Sequence, residues 1–590
     1  MCSKTARSRC PVPAATCSAM PGSSGPIWGC EPAYDRAVNR AVPNGGAAYF
    51  IRDGQPAGKR GATMNQGWVR AAGVDELRQK GRIVFRLDGR QIALFDTAKG
   101  VYACNNRCPH EGYPLREGTL DGNCLLTCNW HNWKFDLETG ENQRAGDRLR
   151  VYPVEIRGAD VWIEIVDPPV EERLAKSLKD LKQGFDRHGY DRLAREIARI
   201  ARLGVDPAIA VREAIRWSHD RLEFGWTHAY AGAADWLALY DEHEDEPESR
   251  LICLLEAVGH MADDTLRRPR YPYAEGVEDW DEDAFVRAVE DEDEARAIRL
   301  TRGALAMGDA WGPMERGLAR AALAHYADFG HAAIYVTKAS ALIRRLGGEV
   351  AEPVLLPLVR GLVTATREDL IPEFRAYADA LQDFGSRPNG SAPAAADYAG
   401  LSANKALAFT AEHGAAPPFD LYRSLLGANA LNMVQFDVRH LGDLDKPYGG
   451  DFGWLDLTHG LTFAEAVLGL CSKFPELWPA GLLQMACFSG RNTGHQDDAL
   501  DPDDWAVADP DAFFAGVGRT LLDHGQDRYI VSVHLLKTAL SVRSLLASGE
   551  CGRSGELALA ALNRLLQSPL RRKMVRRTAR QAMRFVEIDI

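Results

Sequence analysis

The chain has 590 residues, 46% of them hydrophobic, and a formal charge of −12. That length exceeds what one core fills and predicts roughly three to four domain-sized units. The acidic balance argues against a nucleic-acid binder, which needs a basic face, and no stretch approaches ~18 consecutive apolar residues, so no membrane span is expected.

Residues 1–63 are rich in Gly, Pro, Ala and Ser without periodicity and predict a disordered leader. Translation is expected to start at Met64. The leader has neither an apolar core segment nor paired arginines, so export is not expected and a cytoplasmic location follows. Its Cys2, Cys10, Cys17 and Cys30 lack metal-ligand spacing. Cys253, Cys471, Cys487 and Cys551 lie scattered in helical sequence and are expected to be buried as small hydrophobes.

Residues 64–167 predict a small all-β domain. Arg82–Leu87 alternates apolar and polar, and Asp88-Gly89 is a hairpin turn signal. Strands are expected at Gln91–Phe95, Gly100–Cys104, Val151–Ile156 and Asp160–Val166, and Pro168-Pro169 closes the domain. The pattern then turns helical, with i, i+3, i+4 apolar spacing as in Leu193–Ile200. The fold class expected is therefore α+β and multidomain: a small all-β domain followed by a large all-α domain. The segment Gly385–Pro393 is a candidate linker that divides the helices into lobes 168–388 and 395–590.

The lobes look duplicated. At an offset of 199, Gly317, Arg320, Leu323, His325, Asp328, Lys338, Arg344 and Leu346 match Gly516, Arg519, Leu522, His524, Asp527, Lys537, Arg543 and Leu545. The same offset aligns His260 with His459. An acidic run, Glu278–Glu294, and a basic run from Arg571 to Arg584 are expected to be solvated faces, and they carry complementary charge for pairing with each other.

The motif with metal-ligand spacing is Cys108-Pro109-His110, seventeen residues, then Cys128-Asn129-Trp130-His131. Two thiolates can hold one iron and two neutral imidazoles a second. Two Cys and two His also compose zinc sites, but Cys-x-His is awkward in a zinc hairpin. The segment from Trp68 to Asp167 resembles the Rieske family, with Gly112, Pro114-Leu115, Trp133, Phe135, Asp136 and Thr139-Gly140 in the family's places. The resemblance implies a [2Fe–2S] cluster on Cys108, His110, Cys128 and His131. Two departures stand out. Asn129 and Asn132 replace a Pro and a Gly of the second loop. The extra cysteines of the high-potential members are missing, with Gly112 and Asn129 near their places. Cys104 and Cys124 are expected as strand core rather than as a redox bridge. The resemblance is to the ferredoxin and oxygenase subgroup, in the low-to-middle part of roughly −150 to +300 mV.

The helical region lacks the Asp/Asn-x-x-His-x-x-x-x-His iron motif of Rieske oxygenases, so a ring-hydroxylating dioxygenase is not expected. Candidate residues for a second, mononuclear metal are Glu256 and His260 with His325, His331, His459, His524 and His534. The expected function is an iron–sulfur oxidoreductase or electron-transfer protein. Its cluster would exchange electrons with a helical domain that holds a small-molecule substrate or that metal. The alternative is a ferredoxin-like carrier, or a redox sensor, whose helical region is a docking or oligomerisation scaffold. No Gly-x-Gly-x-x-Gly fingerprint follows a strand, so a separate reductase or ferredoxin is implied as electron donor.

Overall fold

The structure, a computed structural model, describes residues 66–143, 146–309, 311–387, 390–446, 452–568 and 575–588. The leader with its four cysteines, and part of the C-terminal basic run, lie outside the described residues.

Among the described residues, ten short strands form the β domain, in three antiparallel sheets. β1 (Gln66–Gly73), β10 (Asp160–Ile165) and β9 (Val154–Arg157) make the first; β2 (Arg82–Leu87), β3 (Arg90–Thr97), β4 (Gly100–Asn105) and β8 (Val151–Tyr152) the second. β5 (Thr119–Leu120), β6 (Leu125–Cys128) and β7 (Trp133–Asp136) make the third. The Asp88-Gly89 turn has φ of +47° and +76°, as a two-residue primed turn demands, and pairs Leu87 with Arg90. β3 is buried on both faces. Ile92 and Leu94 enter one core with Val161 and Ile163, while Ala93 and Phe95 enter a second with Cys104, Leu126 and Phe135. This second core backs the Cys/His loops.

The expected strand Val151–Ile156 is two strands. β8 pairs with β4 and β9 with β10, and the break is Pro153, which has no N–H to continue a ladder. Cys104 sits in β4 as expected. Cys124 instead occupies a turn at φ +66°, its thiol 3.4 Å from Thr97 Oγ1; both thiols are free.

From Val170 to Ile588 the described residues are helices and their joints. Helix Tyr190–Ala201 shows why: Leu193, Ile197 and Ile200, spaced i, i+4, i+7, are fully buried. Its Glu196 is buried too, beside Arg199. The two expected lobes share one continuous hydrophobic core that runs from Leu181 to Leu565. The segments matched at the offset of 199 are each a helix, a turn and a helix: Gly312–Ala324 then His331–Leu346, and Pro510–Leu522 then Tyr529–Ala547. Helix Tyr529–Ala547 is long and apolar enough by composition to cross a membrane, with 61% of its most apolar 18-residue stretch buried inside the fold.

The acidic and basic runs do not meet among the described residues. Asp281 and Asp293 cap helices, Glu278 pairs with Arg296 at 3.0 Å, and Asp283 with Arg320 at 2.7 Å. Arg580 and Arg584 reach Asp445 instead, at 3.1 and 2.7 Å.

The β domain is joined to the helices by a buried ion cluster. Asp147, 2% exposed at its side chain, lies 3.0 Å from Arg192, 3.2 Å from Arg195 and 3.6 Å from Arg199.

Candidate metal centres

The two Cys/His loops are built alike. Gly112 N donates to Cys108 O at 2.8 Å and Asn132 N to Cys128 O at 2.9 Å, so each loop closes four residues after its cysteine. Each closing residue is left-handed, Gly112 at φ +77° and Asn132 at φ +58°. Asn is the side-chain-bearing residue that best tolerates that region, which explains how Asn132 stands where the family has Gly. Asn129 holds the second loop by hydrogen bonds: its Nδ2 donates to Glu117 O and its Oδ1 accepts from Thr119 Oγ1, both at 2.9 Å. The amide thereby supplies the tether that a proline ring would otherwise supply by stiffness.

The donor groups converge. Cys108 and Cys128 are buried side by side, 3% and 1% exposed, and the thiols interact directly. Burial pushes the Cys108 thiol up to about 11, so a thiolate here requires a cation beside it. The His110 and His131 rings meet edge to face, centroids 4.7 Å apart, and their side chains are 28% and 36% exposed. Trp133 stacks on His110 at 4.4 Å and Trp130 on His131 at 5.5 Å. Glu111 lies 3.7 Å from His110 and 3.9 Å from His131.

The family model described as Rieske [2Fe-2S] domain matches residues 67–153. A 3-phenylpropionate/cinnamic acid dioxygenase ferredoxin subunit from Shigella boydii is 37% identical over 76 residues, 12% of this chain and 72% of that protein. The chain belongs to the Rieske [2Fe–2S] family. A naphthalene 1,2-dioxygenase/salicylate 5-hydroxylase ferredoxin component from Ralstonia is 28% identical over 104 residues, 17% of this chain and 99% of that one. A 4β-methylsterol monooxygenase from Methylococcus capsulatus is 35% identical over 107 residues, 16% of this chain; the match spans only 28% of that enzyme. The solved ferredoxin of carbazole 1,9a-dioxygenase from Nocardioides aromaticivorans is 26% identical, covering 17% of this chain and 97% of its own, at a TM-score of 0.16.

A Rieske domain implies a [2Fe–2S] cluster, and the donor set fits one. Two buried sulfurs lie together on the inner side, and two imidazoles lie together on the outer side within reach of solvent. Homology to ferredoxin components of dioxygenases supports electron transfer as the role of this Rieske domain.

The helical histidines divide into two groups. His331, His459 and His534 come together with His228, which carried no signal in the sequence. The Nε2 atoms of His228 and His331 are 3.0 Å apart, those of His331 and His459 2.9 Å, and those of His459 and His534 3.4 Å. One nitrogen each of His228, His459 and His534 lies within 4.8 Å of the others. Burial and the neighbouring Lys537 hold all four imidazoles well below their ordinary range, His331 at about 3. Burial in turn pushes the Lys537 amine down to about 7.

The other candidates stay outside this group. Glu256 accepts from Tyr190 Oη at 2.8 Å and faces His524 Nε2 at 3.1 Å. His325 lies between Asp369 at 2.8 Å and Glu290 at 2.9 Å. His260 stacks on Tyr529 at 5.1 Å, so the offset that aligned it with His459 does not place the two alike. His260 and His228 both line one cleft of about 600 Å³, with Asp263, Asp264, Arg268 and Tyr529. A larger cleft of about 1350 Å³, between Glu242, Pro510 and Arg543, includes none of the four clustered histidines.

Proposed function

We propose that this chain is an intracellular iron–sulfur oxidoreductase. It moves single electrons through a cluster held by Cys108, His110, Cys128 and His131. A separate reductase or ferredoxin supplies them, and the fused helical region receives them for a small-molecule substrate. When bound, the cluster supplies reversible one-electron storage. The observation that carries the reading is the asymmetry of the loops. Both cysteines are sealed inside the domain core, while the histidine edge and Trp130, 59% exposed, face outward. An apolar, aromatic tip beside the outer ligands suits brief docking of an electron-transfer partner. Glu111 places a carboxylate 3.7 Å from His110 and 3.9 Å from His131, and its negative charge opposes electron uptake at a cluster held there.

Delivery into the helical region is favoured by that region's content. It carries a polar cleft that reaches His228, and its core is continuous over both lobes. The second reading, a carrier or sensor whose helices only dock partners, draws on the ferredoxin component, whose length the β domain alone accounts for. Iron and acid-labile sulfide, with low-temperature EPR of the dithionite-reduced full chain, test the cluster. Two sulfides per chain and a signal of average g below 2 are expected, and Cys108→Ser abolishes both. Colourless protein without sulfide ends the proposal. Oxygen uptake by the reduced chain would separate delivery from simple carriage.

A further inference from the structure

The four clustered histidines come from four helices. His228 opens helix His228–Glu242, His331 opens His331–Leu346, His459 lies in Trp454–Lys473 and His534 in Tyr529–Ala547. These helices pack as a ring, each against two of the others. The first two run side by side in register: seven residues beyond each histidine, Asp235 and Lys338 form an ion pair at 2.8 Å.

The protons on these rings can be assigned. His459 Nδ1 donates to Leu455 O and His534 Nδ1 to Ile530 O, both at 2.6 Å, and His331 Nδ1 donates to Asp328 O. A carbonyl only accepts, so in the neutral ring the proton sits on Nδ1 and Nε2 is a bare lone pair. The His459 lone pair faces those of both His331 and His534, and His228, beside His331, has at most one Nε2 proton to share. The His331–His459 and His459–His534 nitrogen contacts, 2.9 and 3.4 Å between acceptors, are therefore not hydrogen bonds; they repel unless a positive centre lies among them. Lys537 Nζ, 3.3 Å from His459 Nε2, can satisfy that nitrogen and a His228 Nε2–H can satisfy His331, which still leaves the His534 lone pair facing His459.

The spacing identifies what fits. At a metal–nitrogen bond of about 2.1 Å, adjacent ligands stand about 3.0 Å apart at right angles and about 3.4 Å apart in a tetrahedron. The three observed separations fall on that range. The backbone also bends to present His331: Asp328, Phe329 and Gly330, immediately before it, all have positive φ (50°, 48° and 78°). Two consecutive non-glycine residues in that region are costly and need surrounding structure to hold them. Asp328 N donates to Thr366 O at 2.8 Å and Phe329 N to the buried Glu368 at 3.3 Å.

We propose that His228, His331, His459 and His534 are ligands of one divalent transition-metal ion, bound inside the helical ring where the cleft reaches His228. Neutral imidazole selects iron, copper, nickel or zinc over the oxygen-seeking magnesium and calcium. This site stands independently of the cluster reading. The Nδ1-to-carbonyl bonds are the outer contacts that orient metal-bound histidine elsewhere.

The test measures metals and acid-labile sulfide per full-length chain. One metal equivalent beyond two irons per two sulfides is expected in wild type. His459→Ala and, as a milder change, His534→Gln lose that equivalent with sulfide and the reduced EPR signal unchanged; His524→Ala keeps it. Chelator-treated wild type should take up one Co(II) with visible ligand-field bands that His534→Gln lacks. A chain with one metal and no sulfide supports this site while ending the cluster proposal. No extra metal and no Co(II) uptake in wild type, or full retention in both ligand variants, overturns it.

Discussion

Replacing Asp147 by Asn removes the negative charge from the junction between the Rieske domain and the helices. The carboxylate is 2% exposed and faces Arg192, itself 11% exposed, at 3.0 Å. Arg195 and Arg199 add longer contacts at 31% and 40% exposure, where water screens them, so they count for less. Removing one member of a buried pair typically costs 3–5 kcal/mol because the other charge is left unpaired. Arg192 Nε is not aimed at its nearest Asp147 oxygen in hydrogen-bonding geometry, which points to the lower end, about 3 kcal/mol. Urea slopes are about 1–3 kcal/mol per molar for small proteins and rise with size, so the midpoint of this chain should fall by about 1 M or less. The assay is urea unfolding of the full chain, followed by loss of cluster absorbance. Asp147→Asn combined with Arg192→Gln should cost less than the two single changes added, since the orphaned cation is gone. A midpoint shift equivalent to less than about 1 kcal/mol, or strict additivity, would refute the claim that this ion cluster fastens the domains.

Asn132→Gly should preserve cluster loading, while Asn132→Val, forced to φ +58°, should cost about 1–2 kcal/mol and lower the sulfide content of purified protein. Gly232→Leu should open the helical ring, because even a Cβ there comes within 2.3 Å of Val533 Cγ2; metal bound beyond the cluster should drop while sulfide stays constant. His325 has its pKa raised, first by its hydrogen bond to Asp369 and further by Glu290, against the cost of partial burial. Its stabilisation is thus full below the ordinary value of about 6.5 and is lost as pH rises through the folded value. Thermal melts of His325→Gln should lose this alkaline decline relative to wild type, and an unchanged pH profile would count against the pairing.

The Rieske site could be read from the sequence because its chemistry is local. Cys108 and His110 share one loop, Cys128 and His131 another, and a spacing of two or three positions survives any tertiary arrangement. Asp88-Gly89 likewise announced its own hairpin, since φ is set within the dipeptide. Leu193, Ile197 and Ile200 announced a helix, since periodicity records which face is covered. Pro153 shows the limit: the residues on either side read as one strand, and only the pairing partners revealed two sheets.

The four-histidine group was decided by tertiary structure alone. Its contacts join residues 103, 128 and 75 positions apart, one from each of four helices. Three of its members were among many plausible histidines, and His228 was not among them at all. A buried histidine has the same local pattern whether its Nε2 meets a carboxylate, as in His524, or other imidazoles, as in His459. The difference lies in which helices pack as neighbours, and that is set by the summed burial of the whole core rather than by any segment of it.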